Sequence, residues 1–195
     1  MMLRLSCVLT VVLLCVSGTG LAGAPPAAAG FAPGPGVPLD LGRYAGRWHV
    51  LARIPHPAER GHVGSSNDYV PQGDGDMRIF YRYRERPDGP EEQLQLRASA
   101  SADSGFRRWR TWHYRVLPSH SEVLEVAADY SWALVANRRR SMAWILARDP
   151  AMDTLQYRNL LERLASHGVP TDRMRRVVHQ ASQIGQLGYE SPPSR

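Results

Sequence analysis

The stretch Tyr44–His62, "YAGRWHVLARIPHPAERGH", decides how the rest of the chain is interpreted. Gly46 stands two residues before Trp48, at the start of an alternation of apolar and polar residues that predicts a β-strand. The alternation ends near Ile54, and the prolines, histidines and charged residues after it predict a long loop. A glycine so close to a bulky indole indicates a bend in the backbone where the first strand enters the core.

The 195-residue chain is long enough for one domain or at most two small ones. Its start has the layout of a secretory signal peptide, with Arg4 before the apolar run 5–16 and the small-residue stretch 17–24. The apolar run is short for a membrane span, and an uncleaved membrane anchor is the alternative. The segment 25–37 is almost only alanine, glycine and proline, which predicts a linker. We therefore expect a signal peptide over 1–24, a linker over 25–37, a folded domain over 38–182 and a flexible tail over 183–195.

Both cysteines, Cys7 and Cys15, lie within the predicted signal peptide. The domain that follows has no thiol to form a disulfide, so its stability must come from its core. A lipid anchor would need a small residue directly before the modified cysteine, whereas Leu14 precedes Cys15. These features favour a secreted or periplasmic protein, with a lipid-anchored protein as the alternative.

The formal net charge is +6, and the chain contains arginine but no lysine. An excess of positive charge is compatible with an anionic partner such as a nucleic acid or a lipid surface. The arginines are scattered along the predicted strands rather than clustered on one helix. This scatter favours a compositional bias over a dedicated nucleic-acid interface.

Alternation with a period of two continues through most of the domain. Met77, Ile79 and Tyr81 share one face of the run 77–83, which predicts a half-buried strand. Comparable runs follow at 92–100, 107–117, 122–131, 132–137 and 142–148. Turn signals rich in Gly, Pro, Asp, Ser or Asn lie at 72–75, 86–90, 103–105, 118–121 and 137–141. The stretch 152–167 instead repeats its leucines near a helical period and predicts one late helix.

Short connections between successive strands predict antiparallel neighbours. We expect an all-β fold, an eight-stranded up-and-down antiparallel β-barrel with one C-terminal α-helix packed on its outside, because closure removes unpaired strand edges. A barrel of that size has interior room for side chains or for one small ligand.

The opening stretch resembles the first sequence motif of the lipocalin family, and in particular of its bacterial branch. The matching residues are Asp40, Leu41, Arg43, Tyr44, Gly46, Trp48, Ala52, Arg53, His56, Glu59, Arg60 and Gly61. Asp129 and Tyr130 resemble the second motif, and Arg148 resembles the arginine that ends the third. The motifs keep the family's order, and the chain resembles the outer-membrane lipoprotein type despite its poor lipid-anchor signal.

The resemblance implies structural roles for the motif residues. Trp48 would close the narrow end of the barrel and pack against the guanidinium of Arg148. The residues with implied structural roles are Gly46, Trp48, Asp129, Tyr130 and Arg148. The loop 54–62 would lie over the open end of the barrel as a lid.

The resemblance also implies that a small apolar molecule binds inside the barrel. Alternation selects the residues expected to line this pocket, namely Val50, Ala52, Met77, Ile79, Tyr81, Tyr83, Leu94, Leu96, Ala98, Trp109, Thr111, His113 and Tyr130. A purely structural core is the alternative for this set. The strand phase over 109–114 stays open, because a slip of one residue would turn Arg110, Trp112 and Tyr114 inward instead.

We therefore expect a protein that binds and carries or stores a small hydrophobic ligand in the bacterial cell envelope. The expected ligand is a fatty acid, phospholipid or lysophospholipid, with its anionic end near arginines of the rim, namely Arg84, Arg86, Arg107, Arg108 and Arg110. The expected partners also include anionic membrane lipid at the periphery, but no nucleic acid, and the protein would be a monomer or a weak homodimer. Secretion across the inner membrane would place it in the periplasm, with outer-membrane association as the alternative.

The sequence lacks the motifs typical of several enzyme classes. No serine lies in a G-x-S-x-G motif, there is no H-E-x-x-H motif, and His49, His56 and His62 do not have helical metal-ligand spacing. We therefore expect no catalytic residues, no metal and no cofactor. The alternatives are a lipocalin-fold enzyme and a binder of a non-lipid hydrophobic ligand such as a pigment or haem.

Overall fold

The computed structural model describes residues 37–113 and 117–192. The predicted signal peptide over 1–24 lies outside the described residues, as does the predicted linker over 25–37 except for Val37. Within the described ranges, no helix is long and apolar enough to cross a membrane.

The described chain forms nine strands and two α-helices. In chain order these are α1 Leu41–Tyr44, β1 Gly46–Arg53, β2 Val63–Gly73, β3 Asp76–Arg84, β4 Glu92–Ala100, β5 Arg108–His113, β6 Leu117–Val126, β7 Trp132–Asn137, β8 Ala143–Ala147, α2 Thr154–Ser166 and β9 Arg175–Arg176. Short 3-10 turns cover Ala102–Ser104, Thr171–Arg173 and Ala181–Gln183.

Strands β1 to β8 form a closed up-and-down antiparallel barrel. Each strand from β2 to β8 pairs with its neighbour in sequence, and β1 pairs with both β8 and β2, which closes the ring. The predicted fold class, a barrel of eight strands with one helix on its outside, is confirmed. The loops at the end that we call open are 54–62, 85–91 and 138–142, and those at the closed end are 74–75, 101–107 and 127–131.

Two layers of buried side chains stabilise the barrel. The inner layer fills the closed end around Trp48, and the outer layer lies between α2 and the wall formed by β1, β6, β7 and β8. Leu160 and Leu164 are the fully buried leucines of α2 and pack in this outer layer. The helix begins after Asp153, whose Oδ1 accepts a hydrogen bond from the Gln156 N–H at 2.9 Å.

A β-bulge in β1 changes which of its residues face inward. The pairing of β1 with β8 shifts between Val50 and Ala52, so Ala52 lies in the layer beneath α2. Arg53 consequently pairs with the inward-facing Trp144, and its side chain is fully buried. The expectation that Ala52 lines the pocket is therefore corrected, because one extra residue exchanges the two faces of the strand after it.

The chain after α2 is bound to the barrel rather than loose. Strand β9 pairs with Ala52 and Arg53 of β1, where β1 has separated from β2. Arg176 in turn pairs with Tyr189, and Glu190 is only 6% exposed. The prediction of a flexible tail over 183–195 is therefore corrected as far as Glu190.

Candidate ligand-binding site

Trp48 seals the closed end of the barrel. Its indole is fully buried, and its Nε1 donates a hydrogen bond to the Tyr44 carbonyl oxygen at 2.7 Å. The guanidinium carbon of Arg148 lies 3.9 Å from the centre of the indole ring, in cation–π contact. The same guanidinium donates to three carbonyl oxygens at 2.6–2.9 Å, those of Arg43, Ala45 and Arg47.

Gly46 makes this packing sterically possible. Its φ is +90°, in the left-handed region that residues with a Cβ rarely adopt. The turn directs the carbonyl oxygens that precede Trp48 toward Arg148. The glycine two residues before the tryptophan therefore supports the floor of the barrel, and neither residue lines the cavity.

The second motif also belongs to the closed end. The Asp129 Oδ1 accepts hydrogen bonds from the hydroxyl and N–H of Ser131 at 2.7 and 3.0 Å, which hold the pKa of Asp129 below its usual range. The Tyr130 hydroxyl accepts a hydrogen bond from the Asp40 N–H at 2.9 Å, and the Arg43 guanidinium lies over the Tyr130 ring. Tyr130 therefore fastens the N-terminal segment under the barrel and does not line the cavity.

A cavity of about 1160 Å³ occupies the barrel towards its open end. It is large enough for a small organic ligand. Its apolar and aromatic wall consists of Val50, Tyr69, Ile79, Tyr81, Leu94, Leu96, Val135, Trp144 and Leu146. A wall of uncharged polar side chains lies on β5 to β7 and consists of Thr111, Ser119, Ser121 and Asn137.

The structure divides the predicted pocket residues into groups. Those that line the cavity are Val50, Ile79, Tyr81, Leu94, Leu96 and Thr111. Met77, Ala98 and Trp109 face inward but pack in the inner core layer towards the closed end. Tyr83 is buried beside the mouth, stacked on the His62 ring at 3.8 Å. The side chain of His113 lies outside what the structure describes.

The strand phase of β5 follows from Trp109, which is buried in the inner layer. Thr111 lies on the same side and lines the cavity. Arg110 and Trp112 alternate with them on the outer side, where the Arg110 guanidinium lies 5.2 Å from the centre of the Trp112 ring. Of the two phases that the sequence left open, the structure adopts the one with Trp109 and Thr111 inward.

The loop 54–62 lies across the mouth of the cavity. His56, Ala58 and Glu59 contribute to the cavity lining. The Glu59 Oε2 accepts a hydrogen bond from Trp144 Nε1, on the neighbouring strand β8, at 3.0 Å. The loop is therefore tied to the barrel by a side chain that itself borders the ligand space.

A buried polar cluster supports the same end of the barrel. Arg53 donates two hydrogen bonds to Glu190, from Nε at 2.8 Å and from Nη2 at 3.0 Å. Glu190 also accepts a hydrogen bond from the Gly61 N–H at 2.8 Å, which ties the loop to the C-terminal segment. The Tyr81 hydroxyl lies 2.9 Å from His62 Nδ1, and burial raises the pKa of Tyr81 to about 12. The cluster therefore presents a neutral hydroxyl to the cavity. The Arg53 charge is neutralised by Glu190 at 2.8 Å and by Glu59 at 3.7 Å.

A family model described as a lipocalin-like domain matches residues 39–179. The chain belongs to the lipocalin family. The outer membrane lipoprotein Blc of Vibrio cholerae is 23% identical over 143 residues, covering 73% of this chain and 84% of the relative. Apolipoprotein D of Mus musculus is 26% identical over 146 residues, covering 70% and 75% respectively.

Solved lipocalin-like structures have the same fold. Insecticyanin from the tobacco hornworm Manduca sexta superposes with a TM-score of 0.59 at 18% sequence identity, covering 78% of this chain and 88% of that structure. The resemblance drawn from the sequence motifs is thereby confirmed at the level of the family and its barrel.

Several lining residues of this lipocalin were not predicted from the sequence. Asn67 and Tyr69 lie on β2, which was not recognised as a strand because small and polar residues interrupt its alternation. Trp144 and Leu146 lie on a predicted strand, where the alternation of β8 was a usable signal. Glu59 lies in the predicted lid, but its bond to Trp144 depends on tertiary packing.

The arginines expected at the rim do not share one location. Arg107 is buried at the closed end, where it donates to the carbonyl oxygens of Val37 and Val123 at 2.7 and 3.2 Å. Its assignment to a ligand head group is corrected, because strand β5 begins at the closed end and Arg107 precedes it. Arg108 begins β5 at that same end, and Arg110 lies on its outer side. Arg84 and Arg86 remain at the open end, where both are exposed.

Among the described residues, no group of three or more histidine, cysteine, aspartate and glutamate side chains is arranged to hold a metal ion. Three histidines instead lie where the C-terminal segment meets β1 and β2. The rings of His49 and His179 are 5.6 Å apart, and His179 Nε2 donates to the Val50 carbonyl oxygen at 2.9 Å. Burial lowers the pKa of His49, His62 and His179.

Acidification is expected to destabilise this lipocalin through these histidines. Each of these histidines has a lower pKa in the folded protein than in the unfolded chain, where it is about 6.5. Its contribution to the free energy of unfolding is therefore complete above about pH 6.5 and is lost as the pH falls from there through the folded-state pKa. Urea unfolding should therefore show a lower free energy of unfolding at about pH 5.5 than at about pH 7.5. Glutamine at His49, His62 and His179 together should reduce this difference, and an unchanged difference would contradict the assignment.

Proposed function

We propose that this lipocalin binds one small hydrophobic ligand inside its barrel and carries or stores it in the bacterial cell envelope. The observation that carries the proposal is the cavity of about 1160 Å³, whose wall is mainly aliphatic and aromatic. Such cavities in barrel mouths are the usual sites of small-molecule binding. Membership of the lipocalin family supports the same function.

The proposed ligand is a fatty acid, a lysophospholipid or a phospholipid. Its acyl chain would lie along the apolar wall, where Ile79, Leu96 and Leu146 offer aliphatic area. Each methylene removed from water contributes about 0.8 kcal/mol, less the cost of ordering the chain. The polar end would lie near Arg97 and His120, which also line the cavity. Glu59 borders the same space and disfavours a carboxylate or phosphate on its own side.

The proposed location rests on the first residues of the chain and on one relative. The layout of residues 1–24 is that of a signal peptide, which predicts secretion across the inner membrane. The relative from Vibrio cholerae is an outer membrane lipoprotein. A periplasmic location, with outer-membrane association as the alternative, agrees with both.

Affinity for fatty acids is expected to rise with chain length until the cavity is full. The measurement is displacement of an environment-sensitive fluorescent fatty acid by a series of unlabelled acids. Leu96→Glu puts a charge into the apolar wall and should weaken binding at every chain length. The matched control is Leu155→Glu on α2, where the side chain is 69% exposed, and it should bind as the wild type does.

Two results would contradict the proposal. Absence of saturable binding at every chain length would contradict a fatty acid as the ligand. Equal binding by the Leu96→Glu and Leu155→Glu variants would contradict binding inside the barrel. Native mass spectrometry of the protein purified from its host should show a retained lipid mass. A retained pigment or haem would replace the lipid assignment while keeping the carrier function.

A further inference from the structure

The outer face of β2 to β6 combines arginines with apolar side chains. Helix α2 covers β1, β6, β7 and β8, and no residue of β2 to β5 belongs to the layer beneath it. One row runs across five neighbouring strands through successive cross-strand pairs, namely Val70, Arg78, Arg97, Trp112 and Pro118. Arg110 joins this row through its contact with Trp112. We call these six residues the basic face.

The arginines of the basic face lie close together without carboxylate partners. Arg78 is directly opposite Arg97, an arrangement of like charges that destabilises a sheet. In residues 37–113 and 117–192, none of Arg78, Arg97 and Arg110 has an acidic oxygen within ion-pair distance. A nearby anion would relieve this repulsion.

The acidic residues around the basic face are few or already paired. Asp68 is occupied by Arg47 and Arg82, with N–O distances of 2.9 and 2.8 Å. Glu122, further along the same wall, pairs with Arg140 at 3.2 Å. Asp76 lies in β3 opposite Ser99 and is the acidic residue that remains near the row. The face therefore keeps a positive charge.

The apolar members of the basic face are exposed beside these charges. Val70 is 40% exposed, and Trp112 is half-buried. Tryptophan and arginine side chains are both suited to the head-group level of a bilayer, where an indole lies at the interface and a guanidinium meets phosphate. Arg110 covers a face of the Trp112 ring, which leaves less of it to stack on a nucleic-acid base.

The basic face also adjoins the ligand cavity. Arg97, Trp112 and Pro118 of the row line the cavity, together with their inward-facing neighbours Leu96 and Thr111. The cavity and the basic face therefore share the same stretch of the barrel wall. A bilayer in contact with the basic face would lie directly beside the ligand space.

We propose that the basic face is a docking surface for the head groups of an anionic phospholipid bilayer. The geometry supports peripheral attachment, with the arginines on phosphates and with Val70 and Trp112 at the interface. This inference concerns the outer surface and does not depend on which ligand occupies the barrel.

Co-sedimentation with vesicles tests the proposal on the ligand-free protein. The wild type should bind vesicles of phosphatidylcholine mixed with phosphatidylglycerol, and should bind phosphatidylcholine alone far more weakly. Arg97→Glu with Arg110→Glu should weaken binding to the mixed vesicles by at least about 25-fold, since each basic residue near an anionic surface changes affinity about fivefold. Trp112→Ala should weaken binding to both vesicle types.

The matched control makes the same change of net charge on the other side of the molecule. Arg158→Glu with Arg173→Glu alters two exposed arginines, one on α2 and one in the turn after it. Its affinity for mixed vesicles should fall much less than that of the basic-face variant. Equal losses in the two double variants would overturn the proposal, as would equal binding of the wild type to both vesicle types. Tighter binding to a single-stranded oligonucleotide than to mixed vesicles would also overturn it.

Thermal unfolding of every variant confirms that the barrel is intact before binding is compared. The fluorescent fatty-acid assay of the wild type reports the barrel interior, and vesicle binding reports the outer surface. Failure of one assay therefore leaves the other interpretable.

Discussion

Glu190→Gln is expected to lower the free energy of unfolding by about 3 kcal/mol. It removes the bidentate partner of the buried Arg53 and leaves, among the described residues, only the more exposed Glu59, 3.7 Å away, as a counterion. The Arg53 side chain is 0% exposed and that of Glu190 is 5% exposed, so water screens the pair very little. Glutamine has nearly the same shape as glutamate and keeps an oxygen that can accept from the Gly61 N–H. The change in stability therefore reports the loss of the carboxylate charge. Urea unfolding monitored by tryptophan fluorescence measures the change.

A double variant and a partly exposed ion pair test whether the loss of stability comes from the buried charge of Arg53. Arg53→Met with Glu190→Gln should cost less than the sum of the two single changes, because no unpaired charge remains buried. Glu122→Gln removes the partner of the partly exposed Arg140 and should cost less than about 1 kcal/mol. If Glu190→Gln were no more destabilising than Glu122→Gln, the C-terminal segment would not be anchored as described.

Trp48→Ala is expected to destabilise the fold by about 3–5 kcal/mol, since it empties the fully buried floor of the barrel. Arg148→Ala should be milder, although it leaves the carbonyl oxygens of Arg43, Ala45 and Arg47 without their donor. The two changes together should cost less than their sum by about 0.5–2 kcal/mol, because the cation–π contact is lost only once.

Equilibrium unfolding of the two single variants and of the double variant gives this coupling energy. Trp112→Ala is the matched control, because it removes the same side chain from the outer wall, where the ring is only half-buried. It should destabilise the protein much less than Trp48→Ala. Strictly additive losses for Trp48 and Arg148 would show that the contact between them contributes nothing.

Strands were predictable where one face is apolar and the other polar. Met77, Ile79 and Tyr81 alternate with polar neighbours, and β3 lies where this pattern placed a strand. β2 was missed because its inward-facing positions include Ser65 and Asn67, so its two faces have similar polarity. The single turn of α1 was also missed, since four residues are too few for a helical period.

The candidate site was predictable only as far as alternation holds. The bulge after Val50 reverses the faces of Ala52 and Arg53, and nothing in the local sequence marks it. The partner of Arg53 lies in a segment whose glycines and polar residues indicated a loose tail, yet Glu190 is buried there. These features arise from contacts between distant parts of the chain, and a local pattern carries no information about them.

The pairing of Arg53 with Glu190 also sets an order of events during synthesis of the chain. The two residues are 137 positions apart, and contacts between such distant residues form slowly because a long loop must close first. Before residue 190 is made, Arg53 has, within the described part of the chain, only Glu59, 3.7 Å away in the folded protein, as a carboxylate partner. The bidentate pair of Arg53 with Glu190, which ties the C-terminal segment to the open end, can therefore form only after nearly the whole domain has been translated.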